Sequence, residues 1–141
     1  MHPIRILFIE NDPADVLLTQ VVFGESHIEN KIFFVSSVDQ AMRFLHRQLP
    51  YEQQEPPDLI IFDLGMLGAK ERDFLKQIKG EERFKSIPVI VFMCSAGVKD
   101  VAEAYALNVN CCINKPVDIE EFAQVVESIE RFWLNTATLQ H

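Results

Sequence analysis

The sequence predicts an α/β fold in which a parallel sheet is covered by helices on both faces. Short, continuously apolar runs alternate with segments of helical periodicity along the whole 141-residue chain. The runs lack the polar alternation of a half-exposed strand, and such runs are typical of strands buried on both faces. Strict alternation of strands and helices is typical of a parallel sheet with crossover helices. The expected strands are 6–9, 32–35, 59–62, 89–93 and 111–114.

Helix starts are marked by capping residues. Asp12 suits an N-cap because Pro13 can occupy the first helical position. Ser37 with Gln40 forms a capping-box pair, and Asp118 marks the start of the last helix in the same way. The expected helices follow Asp12 and Ser37 and cover about 71–79, 99–107 and 119–135.

Composition indicates one globular domain over residues 1–141. Hydrophobic residues make up 48% and charged residues 24% of the chain, which suits a packed core. The net charge of −8 argues against nucleic-acid binding. No apolar run approaches the ~18 residues of a membrane span, and no secretory signal is visible, so we expect a cytoplasmic protein. The three cysteines form neither a disulfide framework nor a zinc motif.

Polar residues stand where several strands end. The first strand ends at Glu10 and Asn11, the third at Asp63, and Lys115 follows the fifth. Ligands of open parallel sheets bind outside the carboxyl ends of the strands. Two acids and a lysine gathered there suit an anionic group neutralised by a divalent cation and an ammonium. A carboxylate can also accept a phosphoryl group.

Four segments, in this order and spacing, resemble the response regulator receiver family, the CheY-like domains. They are IENDPAD at 9–15, IFDL at 61–64, IPV at 87–89 and NKPVD at 114–118. The resemblance covers nearly the whole chain. It implies a flavodoxin-like three-layer αβα fold with strand order 2-1-3-4-5 and five helices. It further implies a stand-alone receiver in two-component or phosphorelay signalling, and not an enzyme.

The resemblance implies a role for each residue at the strand ends. Asp63 is expected to accept the phosphoryl group from a kinase phosphohistidine, and Lys115 to pair with Asp63 or its phosphoryl group. Glu10 is expected to hold Mg²⁺ through water and Gly65 to offer its backbone carbonyl to the metal. The peptide bond between Lys115 and Pro116 is expected to be cis.

Five residues depart from the family pattern: Asn11, Met93 and Cys112, together with Leu67 and Glu71 in the segment after Asp63. Asn11 replaces the second acid that binds Mg²⁺ directly; a full charge at ~4 Å contributes up to about 4 kcal/mol at an effective dielectric of 20, so we expect weakened Mg²⁺ binding. Asp12 could supply that charge, although helix capping is its favoured role. Met93 replaces a Ser or Thr, and its thioether cannot donate a hydrogen bond. Cys112 replaces a switch aromatic, so we expect an impaired phosphoryl switch.

Two alternatives to a phosphorylated receiver remain. A pseudo-receiver would keep the fold and bind protein partners without phosphorylation. A phosphohydrolase with an aspartate nucleophile belongs to another class of function. It would need a second aspartate two residues after the nucleophile, where this chain has Gly65.

The end of the chain suggests partners. Asn110-Cys111 and residues 132–134 resemble the small regulators that partner bacterial and cyanobacterial phytochromes, which implies a sensor histidine kinase of the phytochrome type. Phe132, Trp133 and Leu134 cannot all face one core, because neighbouring helix positions point about 100° apart. Exposed apolar patches mark interaction sites. We therefore expect a homodimer that uses the last helix.

Overall fold

The computed structural model describes residues 3–65, 68–93, 98–116 and 118–139, and these form a sheet between two layers of helices. The strands are β1 (Ile4–Glu10), β2 (Asn30–Val35), β3 (Leu59–Gly65), β4 (Val89–Met93) and β5 (Cys111–Asn114). The helices are α1 (Pro13–Gly24), α2 (Val38–Leu45), α3 (Ala69–Gly80), α4 (Val98–Ala106) and α5 (Ile119–Leu139). All strand pairs are parallel, in the order β2-β1-β3-β4-β5. The expected fold class and strand order are confirmed.

Three helices begin at the side-chain caps that the sequence indicates. In each case a side-chain oxygen accepts a hydrogen bond from a backbone N–H of the first turn, which otherwise lacks a partner. The bonds run from Ala14 N to Asp12 Oδ1 at 2.9 Å, from Gln40 N to Ser37 Oγ at 3.2 Å and from Glu121 N to Asp118 Oδ1 at 2.9 Å.

Some helix bounds differ from expectation. Helix α3 begins at Ala69 rather than 71, because the Glu71 carboxylate accepts the Gly68 N–H at 2.9 Å and makes Gly68 the N-cap. Helix α5 runs to Leu139 rather than 135, since no glycine or proline interrupts it. Among the described helices, none combines the length and hydropathy that crossing a bilayer requires.

Both faces of the sheet are buried. In β1, Leu7 and Ile9 pack in the cluster that includes α2, α3 and α4, whereas Ile6 and Phe8 pack in the cluster that includes α1 and α5. Successive strand side chains point to opposite faces, so both faces must be apolar. This double burial explains the continuous apolar runs in the sequence.

The strand register brings the polar strand ends together. Glu10 at the end of β1 is paired with Asp63 in β3. Met93 at the end of β4 is paired with Gly65 on one side and with Asn114 on the other. The strand order reverses direction between β1 and β3, which is where ligands bind in sheets of this kind.

One expectation about the backbone is wrong. The Lys115–Pro116 bond is not cis; among the described residues the cis peptide bond is Leu49–Pro50, between α2 and β3. The trans form is favoured by about 0.5–1 kcal/mol at an ordinary X–Pro bond, and the local sequence at residue 116 does not override that preference.

Candidate functional site

Three carboxylates meet at the ends of β1 and β3. Glu10 ends β1, Asp63 lies in β3, and Asp15 belongs to the first turn of α1. One oxygen from each lies within 4.8 Å of the others. Glu10 is 3% exposed and Asp63 2% exposed, whereas Asp15 is partly exposed. Two of the three acids are therefore removed from bulk water.

One ammonium faces these three carboxylates. The Nζ atom of Lys115 lies 2.5 Å from Asp15 Oδ2, 3.3 Å from Asp63 Oδ1 and 3.9 Å from Glu10 Oε2. The backbone N–H of Lys115 donates to the carbonyl of Met93 at 3.0 Å, which fixes its main chain against β4. Asp15, rather than Asp63, is the nearest partner of the ammonium.

Burial is the main reason why the pKa of Glu10 rises from 4.5 to about 8. The neighbouring carboxyl group of Asp63 raises this pKa further. A backbone N–H from Asp12 and the charge of Lys115 act in the opposite direction. Glu10 Oε1 accepts the N–H groups of Asn11 and Asp12 at 3.1 and 3.0 Å. The remaining oxygen, Oε2, faces the other acids.

The pKa of Lys115 is set by opposing effects. Burial lowers it, but the hydrogen bond with Asp15 and the charges of Asp63 and Glu10 raise it above the usual lysine range. Lys115 is therefore a permanent positive charge in the site at neutral pH.

Two buried carboxylate oxygens have no hydrogen-bond partner within the described ranges, namely Glu10 Oε2 and Asp63 Oδ1. An unsatisfied buried acceptor costs about 1–3 kcal/mol, and more when it is charged. Oxygen atoms that converge in this way are the ligands that Mg²⁺ prefers. The donor set fits a divalent cation.

The structure brings Glu10, Asp63 and Lys115 together, as the positions of the strand ends indicate. The two residues between β1 and α1, Asn11 and Asp12, do not join these three side chains. Asp12 caps α1 and is not among the clustered acids, and Asn11 is exposed. Gly65 ends β3.

Asp15 belongs to the site although it does not stand at the end of a strand. A signal for it exists, because Cα–Cβ bonds in a helix tilt toward the helix N-terminus. A side chain in the first turn of α1 therefore points back over the end of β1. Its acidic character was visible at the third helical position.

The end of β4 and the middle of β5 contribute sulfur atoms. Met93 is buried, and its Sδ atom lies 3.2 Å from Cys112 Sγ. The backbone N–H of Cys112 donates to the hydroxyl of Tyr105 in α4 at 3.2 Å. Burial raises the pKa of Cys112, and the neighbouring Cys111 raises it further. At these two positions the site has neither a hydroxyl nor an aromatic ring.

An open, mostly apolar cleft of about 810 Å³ lies between β4, β5 and α5. Ile113, Val125 and Phe132 are among its apolar lining residues, and Phe132 is 52% exposed. The side chains of Trp133 and Leu134 lie outside the described part of the structure.

The fold and the chain segments around this site match the response regulator receiver domain over residues 6–127. The chain belongs to the response regulator receiver family. Members of this family are typically phosphorylated on an aspartate and bind Mg²⁺. The protein is a response regulator receiver related to the regulators of cyanobacterial phytochromes.

Individual relatives support this relationship. The response regulator Rcp1 of Synechocystis sp. is 36% identical over 137 residues, which are 97% of this chain and 93% of that protein. The phosphorylated cyanobacterial phytochrome response regulator RcpA is 32% identical, with a TM-score of 0.83 and 96% of each chain covered. The Mn²⁺-bound form of Rcp1 is 36% identical, with a TM-score of 0.81 and coverage of 95% of this chain and 96% of that one.

Proposed function

We propose that this protein accepts a phosphoryl group on Asp63 from the phosphohistidine of a sensor histidine kinase. It acts as a single cytoplasmic receiver domain over residues 1–141, and not as an enzyme on a small molecule. One observation carries the proposal. Asp63 is buried opposite Glu10, and its Oδ1 atom forms an ion pair with the ammonium of Lys115 at 3.3 Å.

The transfer is a simple displacement at phosphorus. The bond between phosphorus and the histidine nitrogen breaks, and a bond between phosphorus and a carboxylate oxygen of Asp63 forms. The electron pair of the broken bond returns to the imidazole. Lys115 neutralises negative charge beside Asp63, which is the electrostatic stabilisation that phosphoryl transfer requires.

Mg²⁺, when bound, shields the charge of the phosphoryl oxygens. Glu10, Asp63 and the carbonyl of Gly65 are proposed to hold it together with the amide of Asn11. Asn11 carries no charge, so we propose that Mg²⁺ binds more weakly here than at a site with two adjacent acids.

The contact between Met93 and Cys112 supports a second candidate function. A phosphoryl group on Asp63 would find no hydroxyl donor at residue 93, because a thioether accepts only weakly. The usual structural response to phosphorylation would then be weak or absent. This favours a pseudo-receiver that binds its partner without phosphorylation.

Phosphoryl uptake separates the two candidates. The protein is incubated with Mg²⁺ and acetyl phosphate, and the intact mass is measured alongside Asp63→Asn. We expect an increase of one phosphoryl group in the native protein and none in the variant. Absence of uptake at millimolar reagent, in protein shown to be folded, would support the pseudo-receiver instead.

The partner kinase is proposed to be of the phytochrome type, since RcpA is described as a phytochrome response regulator. Transfer from an autophosphorylated phytochrome kinase is compared with transfer from a histidine kinase of another sensor class. We expect the labelled phosphoryl group to leave the phytochrome kinase faster than it leaves the other kinase. Equal rates would contradict this assignment of the partner.

A homodimer through α5 is proposed from the exposed ring of Phe132 beside the apolar cleft. Strand β5 is also an edge of the sheet that the described residues form. Phe132→Ala is expected to shift the protein toward monomer in light scattering after size exclusion. Leu49→Ala is the matched control, because Leu49 is 74% exposed in a loop away from α5. A native monomer at high micromolar concentration would contradict the proposal.

A further inference from the structure

Asp15 forms an acidic cluster with Glu10 and Asp63, although it does not stand at the end of a strand. It lies in the first turn of α1, five residues beyond the end of β1. Its Oδ2 atom is 2.5 Å from Lys115 Nζ, and one of its oxygens lies within 4.8 Å of oxygens of Glu10 and Asp63. The third carboxylate of the cluster therefore comes from a helix and not from a strand end.

The two residues that follow Glu10 do not bring a negative charge to this cluster. Asn11 is uncharged and exposed. The carboxylate of Asp12 accepts the N–H of Ala14 at 2.9 Å and is thereby committed to capping α1. Within the described residues, the acid that joins Glu10 and Asp63 is Asp15.

A second observation points to a cation at this place. Glu10 Oε2 and Asp63 Oδ1 belong to side chains that are 3% and 2% exposed, and neither atom has a hydrogen-bond partner among the described residues. The single ammonium of Lys115 is closest to Asp15 and lies 3.3 and 3.9 Å from the two unpartnered oxygens. When Glu10 is ionised, three carboxylates around one ammonium leave an excess of negative charge, which a divalent cation can balance.

We infer that Asp15 supplies the carboxylate that Asn11 lacks, and that it is the third acid of the divalent-cation site. This inference rests on the proposed function, because it concerns the same site. Asp15 then has two partners: it binds Lys115 in the absence of the cation and shares its charge with the cation when one is bound.

The test measures binding of Mn²⁺ or Mg²⁺ to the full chain by isothermal titration calorimetry. Asp15→Asn is compared with Asp12→Asn, which removes the same charge in the same turn of α1. Asparagine caps a helix about as well as aspartate, so the control keeps α1 intact. We expect Asp15→Asn to weaken the affinity at least about tenfold and Asp12→Asn to change it less than about threefold. Far-UV circular dichroism verifies that both variants are folded.

A double-mutant cycle distinguishes a ligand from a mere partner of Lys115. If Asp15 only neutralises Lys115, Asp15→Asn has no effect on cation affinity in a Lys115→Met background. If Asp15 holds the cation, the loss persists in that background. We expect the loss to persist, and we expect Asn11→Asp to restore affinity to the Asp15→Asn variant.

The outcomes separate this inference from the proposed function. If Glu10→Gln and Asp63→Asn lose cation binding while Asp15→Asn does not, the role of Asp15 is contradicted and the proposed function stands. If the native protein binds no cation at millimolar concentration, the role of Asp15 is contradicted as well. Failure of phosphoryl uptake in a protein that binds the cation through Asp15 would contradict only the proposed function.

Discussion

The carboxyl ends of β1 and β3 carry carboxylates that, with Asp15 of α1, surround the ammonium of Lys115. On the neighbouring strands, Met93 at the end of β4 and Cys112 within β5 bring two sulfur atoms into contact. We call Glu10, Asp15, Asp63 and Lys115 the acidic half of the site. Met93 and Cys112 form the sulfur half, although the cysteine is only partly buried.

The two halves have different chemical capacities. The acidic half has charges and buried oxygens without a hydrogen-bond partner among the described residues, and we propose that it holds a cation and a phosphoryl group. The sulfur half can offer only weak donors and acceptors. We infer that accepting a phosphoryl group and responding to it structurally are separable properties. In this chain the residues suited to the first are retained more fully than those suited to the second.

The largest expected effect is on the pH dependence of stability in the acidic half. The pKa of Glu10 is about 8 in the folded protein and 4.5 when unperturbed, so the folded state holds a proton that the unfolded state loses between these values. The free energy of unfolding of the metal-free protein should therefore fall as pH rises from about 4.5 to 8, by of the order of a few kcal/mol. The raised pKa of Lys115 acts above 10.5 and does not affect this window.

The free energy of unfolding, measured with urea in the presence of a chelator at pH 5.5 and 8.5, checks this expectation. Glu10→Gln should remove most of the decrease, because glutamine does not titrate. Added Mg²⁺ should also make the free energy of unfolding fall less with pH, since the cation takes the place of the proton on Glu10. An identical pH dependence in native protein and variant would mean that Glu10 is not the group responsible.

The next largest effect on the free energy of unfolding is expected when the ammonium of Lys115 is removed. Lys115→Ala leaves three acids without a balancing charge and should destabilise the metal-free protein by about 2 kcal/mol at pH 8.5. Lys70→Ala is the control, because its pair with Asp39 is 3.5 Å long and highly exposed, and it should cost below about 0.5 kcal/mol. Equal effects of the two substitutions in urea unfolding would contradict the electrostatic account of the acidic half.

A smaller effect is expected when the family's usual acid is restored. Asn11→Asp should strengthen Mg²⁺ binding about tenfold, because it adds a charge next to Glu10. Calorimetric titration measures the change. An unchanged affinity would show that residue 11 does not face the cation.

The smallest effect is expected in the sulfur half. Met93→Thr should increase phosphoryl uptake from acetyl phosphate a few-fold, because a hydroxyl can donate to the phosphoryl oxygens. Met93→Leu should leave uptake within about twofold of the native level, since neither side chain donates. Intact mass reports uptake, and a gain with leucine would indicate that packing rather than hydrogen bonding controls it.

The sequence predicted the scaffold well because its signals are local. Continuous apolar runs fixed the strands, and caps such as Asp12 and Ser37 fixed helix starts. Glu10 and Asp63 could be placed near each other because parallel strands end at one edge of the sheet. These predictions needed only periodicity and topology.

Other features depend on where side chains point in three dimensions. The contact of Asp15 with Lys115 joins residues 100 positions apart, so an acid in the first turn of α1 is a local signal that does not by itself place Asp15 in the site. The isomer of the Lys115–Pro116 bond depends on its packing, so the resemblance led to a wrong expectation there. The contact between Met93 and Cys112 likewise follows from the packing of β4 beside β5.

The most direct test of the division between the two halves is the amide NMR spectrum before and after addition of beryllofluoride with Mg²⁺. The acidic half should respond, with shift changes at Glu10, Asp63 and the first turn of α1. The sulfur half should not, so the amides of Cys112 and Tyr105 should keep their positions. Changes of comparable size at Cys112 and Tyr105 would show that the sulfur half transmits the signal and would contradict the account.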